Sequence, residues 1–248
     1  MLIPGLVSIT FRKKGVWEIT ELMKKADLHA VEWGGDVHVP PADTNAVNLA
    51  KDVSASHDIK IVSYGSYHKC NGDDEEIEKN VSTAALLGAE TIRVWAGTLW
   101  SNDYNDETRR EQVEKIRKVC KTAKKYGITV SPEFHPASLT DELWSALQLV
   151  DEIHEDNFRL YWQPNQFKDD EYNIKAIKSV LPYLTNVHVF SWKETNMYPL
   201  VWGEKLWRQY IEIMKESDKT HNLMLEFICD GSDEQFLKDA ETLHKWLD

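Results

Sequence analysis

ITVSPEFHP, residues Ile128–Pro136, follows a helix-like stretch that stops at Gly127. Side chains alternate across a strand, so residues two apart share a face. Read as a strand, Ile128, Val130, Pro132 and Phe134 point one way, and Thr129, Ser131, Glu133 and His135 the other. One apolar face and one polar face suit a barrel wall, apolar outward under helices and polar inward near a mouth. The same split recurs in the next three strand-like stretches. In FRLYWQP, Phe158, Leu160 and Trp162 face out, with Arg159, Tyr161 and Gln163 in. In NVHVFSW, Val187 and Val189 face out, with His188, Phe190 and Trp192 in. In LMLEFIC, Leu223, Leu225 and Phe227 face out, with Met224, Glu226 and Ile228 in. Each of the four strands then offers one metal-ligand type near its C-terminal end: Glu133, Gln163, His188 and Glu226.

Working outward, strand-like and helix-like segments alternate eight times with no linker or low-complexity tract between them. The first four strands are expected at Leu2–Thr10, Ala30–Gly34, Ile59–Tyr64 and Thr91–Trp95, the last at Leu223–Ile228. Helical spacing of Val16, Ile19, Met23 and Ala26 predicts the first helix. Gly88 and Gly127 fit the left-handed position after a helix end. Thr140 is expected to cap the fifth helix, and Ser232 with Gln235 forms a capping-box pattern for the last. Eight units of about 31 residues predict an α/β fold, a (β/α)8 TIM barrel forming a single domain over 1–248. The rival, a doubly wound open sheet, usually carries a Gly-rich phosphate turn. Neither GxGxxG nor GxxxxGK[ST] occurs here.

The formal net charge of −12 argues against nucleic acid or an anionic membrane as partner. Three cysteines, Cys70, Cys120 and Cys229, form no CxxC pair, so neither a disulfide framework nor a zinc knuckle is expected. No signal-peptide pattern and no run of about 18 apolar residues is present, so a cytoplasmic location is the expectation.

In such barrels the chemistry sits at the C-terminal ends of the strands. Two carboxylates with an imidazole and a divalent ion suit proton removal beside a carbonyl. The ion polarises the carbonyl and a carboxylate takes the carbon-bound proton. Glu133 and Glu226 are the candidate acid/base pair. Taken singly, each Glu also reads as a salt-bridged barrel residue and His188 as a hydrogen-bonded core histidine. Arg93 and Glu32, both inward, are candidates for substrate contact; Arg93 reads equally as neutralising Glu133 or Glu32. His135 at the strand mouth and His68 beyond the third strand are further candidates. Trp95 and Trp192 are candidate stacking surfaces for a sugar, since indole rings pack on C–H faces.

The series VEWGGDVH, IRVWAG, VSPEFHP, VHVFSW and MLEF resembles the sugar phosphate isomerase/epimerase family of xylose isomerase-like TIM barrels. The likeness covers nearly the whole chain in one order. It implies a divalent ion (Mn, Mg, Co or Zn) held by Glu133, Gln163, His188 and Glu226. It also implies a small-molecule sugar or sugar phosphate as partner, with a homodimer plausible. The family's strand-six Asp is Gln163 here, and the His three residues later is Gln166. The Arg that epimerases carry six residues after the strand-seven His is Glu194. A Gln oxygen ligates a hard cation without bringing charge, which lowers affinity. The leading expectation is a metal-dependent sugar isomerase or epimerase working through an enediolate. A keto-polyol dehydratase or lyase on the same barrel is the alternative, and a sugar-binding barrel without metal chemistry the third reading.

Overall fold

The computed structural model describes residues 1–248. Strands β1 (Leu2–Val7), β2 (Ala30–Gly34), β3 (Lys60–Gly65), β4 (Thr91–Val94), β5 (Thr129–Pro132), β6 (Leu160–Trp162) and β7 (Leu184–Val189) come first in the barrel. A two-stranded hairpin follows, β8 (Trp192–Lys193) with β9 (Asn196–Met197), and β10 (His221–Leu225) completes the wall. The main sheet is parallel, ordered β5-β4-β3-β2-β1-β10-β7-β6. Bridges from Val130 to Phe158 and from Glu133 to Tyr161 close β5 onto β6. The expected eight-stranded barrel is therefore observed.

Eight helices wrap it: α1 (Val16–Lys25), α2 (Thr44–Ser56), α3 (Asp74–Leu87), α4 (Asp106–Lys124), α5 (Leu143–Ile153), α6 (Asp170–Val180), α7 (Glu204–Lys215) and α8 (Asp233–Leu247). None is long and apolar enough to cross a membrane. Their starts follow local chemistry. Asp43, Asp73, Asn105, Asp169 and Ser232 each accept a hydrogen bond from a backbone N–H of the first turn. Gly88 (φ 82°) and Gly127 (φ 71°) take the left-handed conformation after α3 and in the turn after α4.

The core is two-layered. A large outer layer, including Val130, Leu160, Val187, Leu223 and Leu225, lies between strands and helices. A small inner cluster of Val7, Ile9, Ala30, Val62, Tyr161 and Met224 plugs the barrel. This places nearly all the alternation read from sequence on the expected faces.

Three expectations are corrected. Thr140 does not cap α5; the cap position is Glu142, and Thr140 is buried with its Oγ1 donating to the Glu133 carbonyl at 2.5 Å. Strand β1 stops at Val7 and becomes a short 3-10 turn over Ser8–Phe11. The last strand stops at Leu225, and Phe227 has φ of 60°. That turn reverses the facing beyond it: Phe227 is exposed at the mouth, and Ile228 joins the outer core.

Gly5 marks how tightly the barrel floor is packed. A Cβ there would lie 2.4 Å from the Ala30 carbonyl oxygen and 2.7 Å from Met224 Sδ. Backbone cannot yield as a side-chain tip can, so Gly5→Ala is expected to destabilise the fold by about 1–3 kcal/mol, read as a lower urea midpoint.

Candidate active site

Strand geometry delivers the candidate ligands to one spot. The Glu133 N–H donates to Val94 O at 3.0 Å while the next N–H, of Phe134, donates to Tyr161 O, so Glu133 is pinned between β4 and β6. The Glu226 N–H donates to Val189 O at 3.0 Å, anchoring the residue after β10 to β7. His188 sits opposite Met224 in the same ladder. One ligand atom from each of Glu133, His188 and Glu226 lies within 4.8 Å of the others.

The atoms around His188 Nδ1 are informative. Gln163 Oε1 is 2.8 Å away, Glu226 Oε2 3.2 Å and Glu133 Oε1 3.4 Å. The amide orientation of Gln163 is fixed independently. Its Nε2 donates to the Phe134 carbonyl at 2.8 Å, and a carbonyl can only accept. Three oxygens without a proton of their own therefore face one ring nitrogen that can carry at most one. A cation resolves this. Atoms bonded about 2.0–2.2 Å from a shared ion lie roughly 2.8–3.6 Å apart in tetrahedral or octahedral arrangements, close to the three distances from His188 Nδ1. The donor set fits a divalent ion, with Gln163 as its uncharged member. Without an ion, a proton serves the same place. Burial opposes charge on His188, but Glu226, Glu133 and Glu32 hold its pKa well above the ordinary value.

Arg93 organises the carboxylates from below. It is almost fully buried, its Nε donates to Glu32 Oε1 at 2.7 Å, and its Nη1 pairs with Glu133 Oε2. Trp95 Nε1 also donates to Glu133 Oε2 at 2.8 Å. Burial alone would raise both carboxyls; Arg93 and His188 instead hold Glu32 down to about 2 and Glu133 well below the carboxylate range. Glu226 is bound differently: its hydrogen-bonding neighbour is His188, and no arginine holds it.

Above this floor opens a cavity of about 280 Å³ lined by Arg93, Trp95, Glu133, His135, Gln163, Trp192 and Glu226. His135 stacks on Trp95 with ring centroids 4.1 Å apart. Two sequence candidates lie outside it. Glu32 is completely buried beneath the cavity as the partner of Arg93, so it is no hydroxyl contact. His68 is buried beneath a loop, its Nδ1 accepting from Cys70 N at 3.1 Å. The reason is local: Tyr67 has φ of 57°, which turns Tyr67 into the cavity and His68 away. Tyr67 then covers Arg93, whose guanidinium carbon is 4.9 Å from the ring centre. Arg12, Gln166, Phe190 and Phe227 also line the space. Of these, Phe190 carries a sequence signal in its inward alternation and Gln166 in the family resemblance, whereas Phe227 reads as facing out and Arg12 carries none. Arg12 sits in the turn after β1 and pairs with Asp36 at 2.6 Å.

Fold and site together define a (β/α)8 barrel with Glu133, Gln163, His188 and Glu226 gathered at its C-terminal mouth. Residues 20–248 match the xylose isomerase-like TIM barrel family, and the chain belongs to it. A 3-dehydroshikimate dehydratase of Bacillus anthracis is 27% identical over 165 residues, 58% of this chain and 59% of that protein. The match thus spans less than two thirds of that relative's length. The crystal structure of the probable 3-DHS dehydratase AsbF of petrobactin synthesis, from the same organism, superposes with a TM-score of 0.80 at 18% identity, covering 98% of this chain and 99% of that one. D-psicose 3-epimerase of Clostridium cellulolyticum H10, solved with D-tagatose, superposes at 0.74 and 12% identity over 99% of both chains. IOLI protein with a bound zinc superposes at 0.75 and 16% identity, covering 99% and 98%. At these identities the superpositions bear on fold alone.

Removing Arg93 would leave two buried carboxylates without their cation. Arg93→Met is expected to cost about 3–5 kcal/mol in urea unfolding. The same pairing predicts an acid limb. A carboxyl lowered from 4.5 to about 2 stabilises the fold above 4.5 and loses that contribution as pH falls to about 2. Wild-type stability should fall through that window, and Glu32→Gln should flatten part of the slope in a pH series of unfolding midpoints.

Proposed function

We propose that this protein is a metal-dependent enzyme that removes the proton beside a carbonyl of a polyhydroxylated small molecule and expels a neighbouring hydroxyl as water. The observation carrying this reading is the asymmetry of the two carboxylates. Glu133 Oε2 is clamped by Arg93 and Trp95 and held far from protonation. In this reading Glu133 would ligate a cation and leave the proton shuttle to Glu226, in place of the acid/base pair the sequence suggests. Glu226 keeps one oxygen on the His188 side and reaches the cavity free of any arginine. A single mobile base is what dehydration needs. Glu226 takes the proton, becomes the acid, and returns it to the departing hydroxyl on the same face. Inversion at carbon, as in epimerisation, needs donors on opposite faces.

A divalent ion held by Glu133, Gln163, His188 and Glu226 would polarise the carbonyl and so acidify the adjacent C–H. Trp95 and Trp192 line the space for the substrate's carbon skeleton, and His135 and Gln166 bring polar atoms to the same cavity. The similarity to 3-dehydroshikimate dehydratase supports the dehydratase class. It does not carry the substrate over, because the alignment covers only part of that protein.

The second reading is a sugar or sugar phosphate isomerase. Glu226 would return the same proton to the neighbouring carbon on one face, which the single free carboxylate equally permits. Product analysis separates the two: an unsaturated or diketo product for dehydration, an aldose–ketose pair for isomerisation. With bound metal measured first, a panel of ketoses, sugar phosphates and cyclic hydroxy-ketones in D2O should show deuterium entry beside the carbonyl. Glu226→Gln should lower that entry by about 10²–10⁴-fold. Unchanged exchange in this variant refutes the base assignment. Binding of sugars without metal uptake or exchange would favour the non-catalytic barrel.

A further inference from the structure

The 280 Å³ cavity does not end at Trp192. Gln166, Phe190 and Trp192 line it on one side and on the other line a wider groove of about 1190 Å³. The groove runs between the loop after β6, the β8–β9 hairpin and the start of α7. The small cavity matches one ring with its hydroxyls, whereas groove and cavity together are far larger than a monosaccharide needs.

Two features of the groove lack an internal explanation. Trp202 is 71% exposed and Phe167 60%, although large aromatic rings are normally drawn inward. Trp202 is also held in place: it stacks on Tyr198 with centroids 4.9 Å apart and planes 21° from parallel, which presents its other face flat to the outside. Beneath, Trp207 donates its indole N–H to the Phe190 carbonyl at 2.8 Å, fixing the wall that both spaces share. At the junction, Trp192 Nε1 is buried and has no hydrogen-bond partner. A buried donor left unpaired costs free energy, so one on a ring that lines both spaces points to an acceptor that arrives with a ligand. An ether or glycosidic oxygen joining two rings is such an acceptor.

We propose that this groove is a second-ring subsite and that the substrate class is a two-ring compound, a sugar-like ring linked through oxygen to an aryl group or a second sugar. The proposal rests on the reaction assigned above, since it places the reacting ring in the small cavity beside Glu226. The second ring lies along Trp202 and Phe167, with the linking oxygen near Trp192. Either kind of second ring has a flat apolar face for stacking.

The test is saturation-transfer NMR on the metal-loaded protein with D-glucose, 4-nitrophenyl β-D-glucopyranoside and cellobiose. At least one two-ring probe should bind about tenfold more tightly than glucose, with strong saturation of its second ring. The class that does so identifies that ring. Trp202→Ala and Phe167→Ala remove exposed side chains, so folding is preserved, and each should abolish the second-ring signal. Equal affinity for one- and two-ring probes overturns the subsite, as does a second-ring signal unchanged in both variants. A dimer that dissociates in Trp202→Ala with no change in probe binding overturns it too, assigning the groove to subunit contact. Absence of deuterium exchange with every compound, alongside second-ring saturation lost in the variants, would sink the reaction and leave the subsite standing.

Discussion

One guanidinium sits under everything else in this barrel. Arg93 of β4 bridges Glu32 of β2 and Glu133 just after β5, in an interior where neither carboxylate could stay ionised alone. Its effect is unequal. Glu32 is consumed in the pairing, fully buried and out of reach of any ligand. Glu133 has one oxygen clamped and the other, Oε1, directed at His188. The guanidinium therefore occupies Oε2 of Glu133 and leaves its Oε1 toward His188, while Glu226 forms no ion pair with an arginine. Hydrogen bonds to the backbone do the rest, because Glu133 and Glu226 each take a ladder position that continues a neighbouring strand.

What could be read from the chain follows from the period of two. Wherever the backbone stays extended, a residue's parity sets its face, so Glu133, Gln163, His188 and Glu226 could be brought to one ring without coordinates. The reading breaks where the backbone leaves the β region at residues that are not glycine. Tyr67 and Phe227 both have positive φ; at Phe227 the faces read for it and Ile228 are exchanged, and at Tyr67, beyond β3, alternation gives no face to His68 or to Tyr67 itself. His68 is thereby lost from the site and Tyr67 gained; Ile228 goes to the outer core and Phe227 to the mouth. An aromatic residue in the left-handed region is held by its surroundings against its own preference, and that pressure leaves no mark in local sequence. Thr140 shows a second limit. Its type suits a helix cap, yet its hydroxyl serves the Glu133 carbonyl, a tertiary demand that overrides local propensity.

The replacement of an acidic ligand by Gln163 bears directly on the chemistry. With a divalent ion in place, the carboxylates of Glu32, Glu133 and Glu226 would balance that ion and Arg93, leaving the floor neutral. A fourth carboxylate at position 163 would make it negative. Proton removal beside a carbonyl builds negative charge on the carbonyl oxygen, and a floor without surplus negative charge stabilises that oxygen better. The cost falls on ion affinity, since an amide oxygen brings no charge to the site. Gln163 is nevertheless a well-made ligand, because the Phe134 carbonyl locks its amide with the oxygen facing inward. The same oxygen lies 2.8 Å from His188 Nδ1, so it serves a ring N–H when no ion is bound and a cation when one is. With a cation bound, that orientation would make Gln163 a ligand that gives up ion affinity in exchange for a less negative floor.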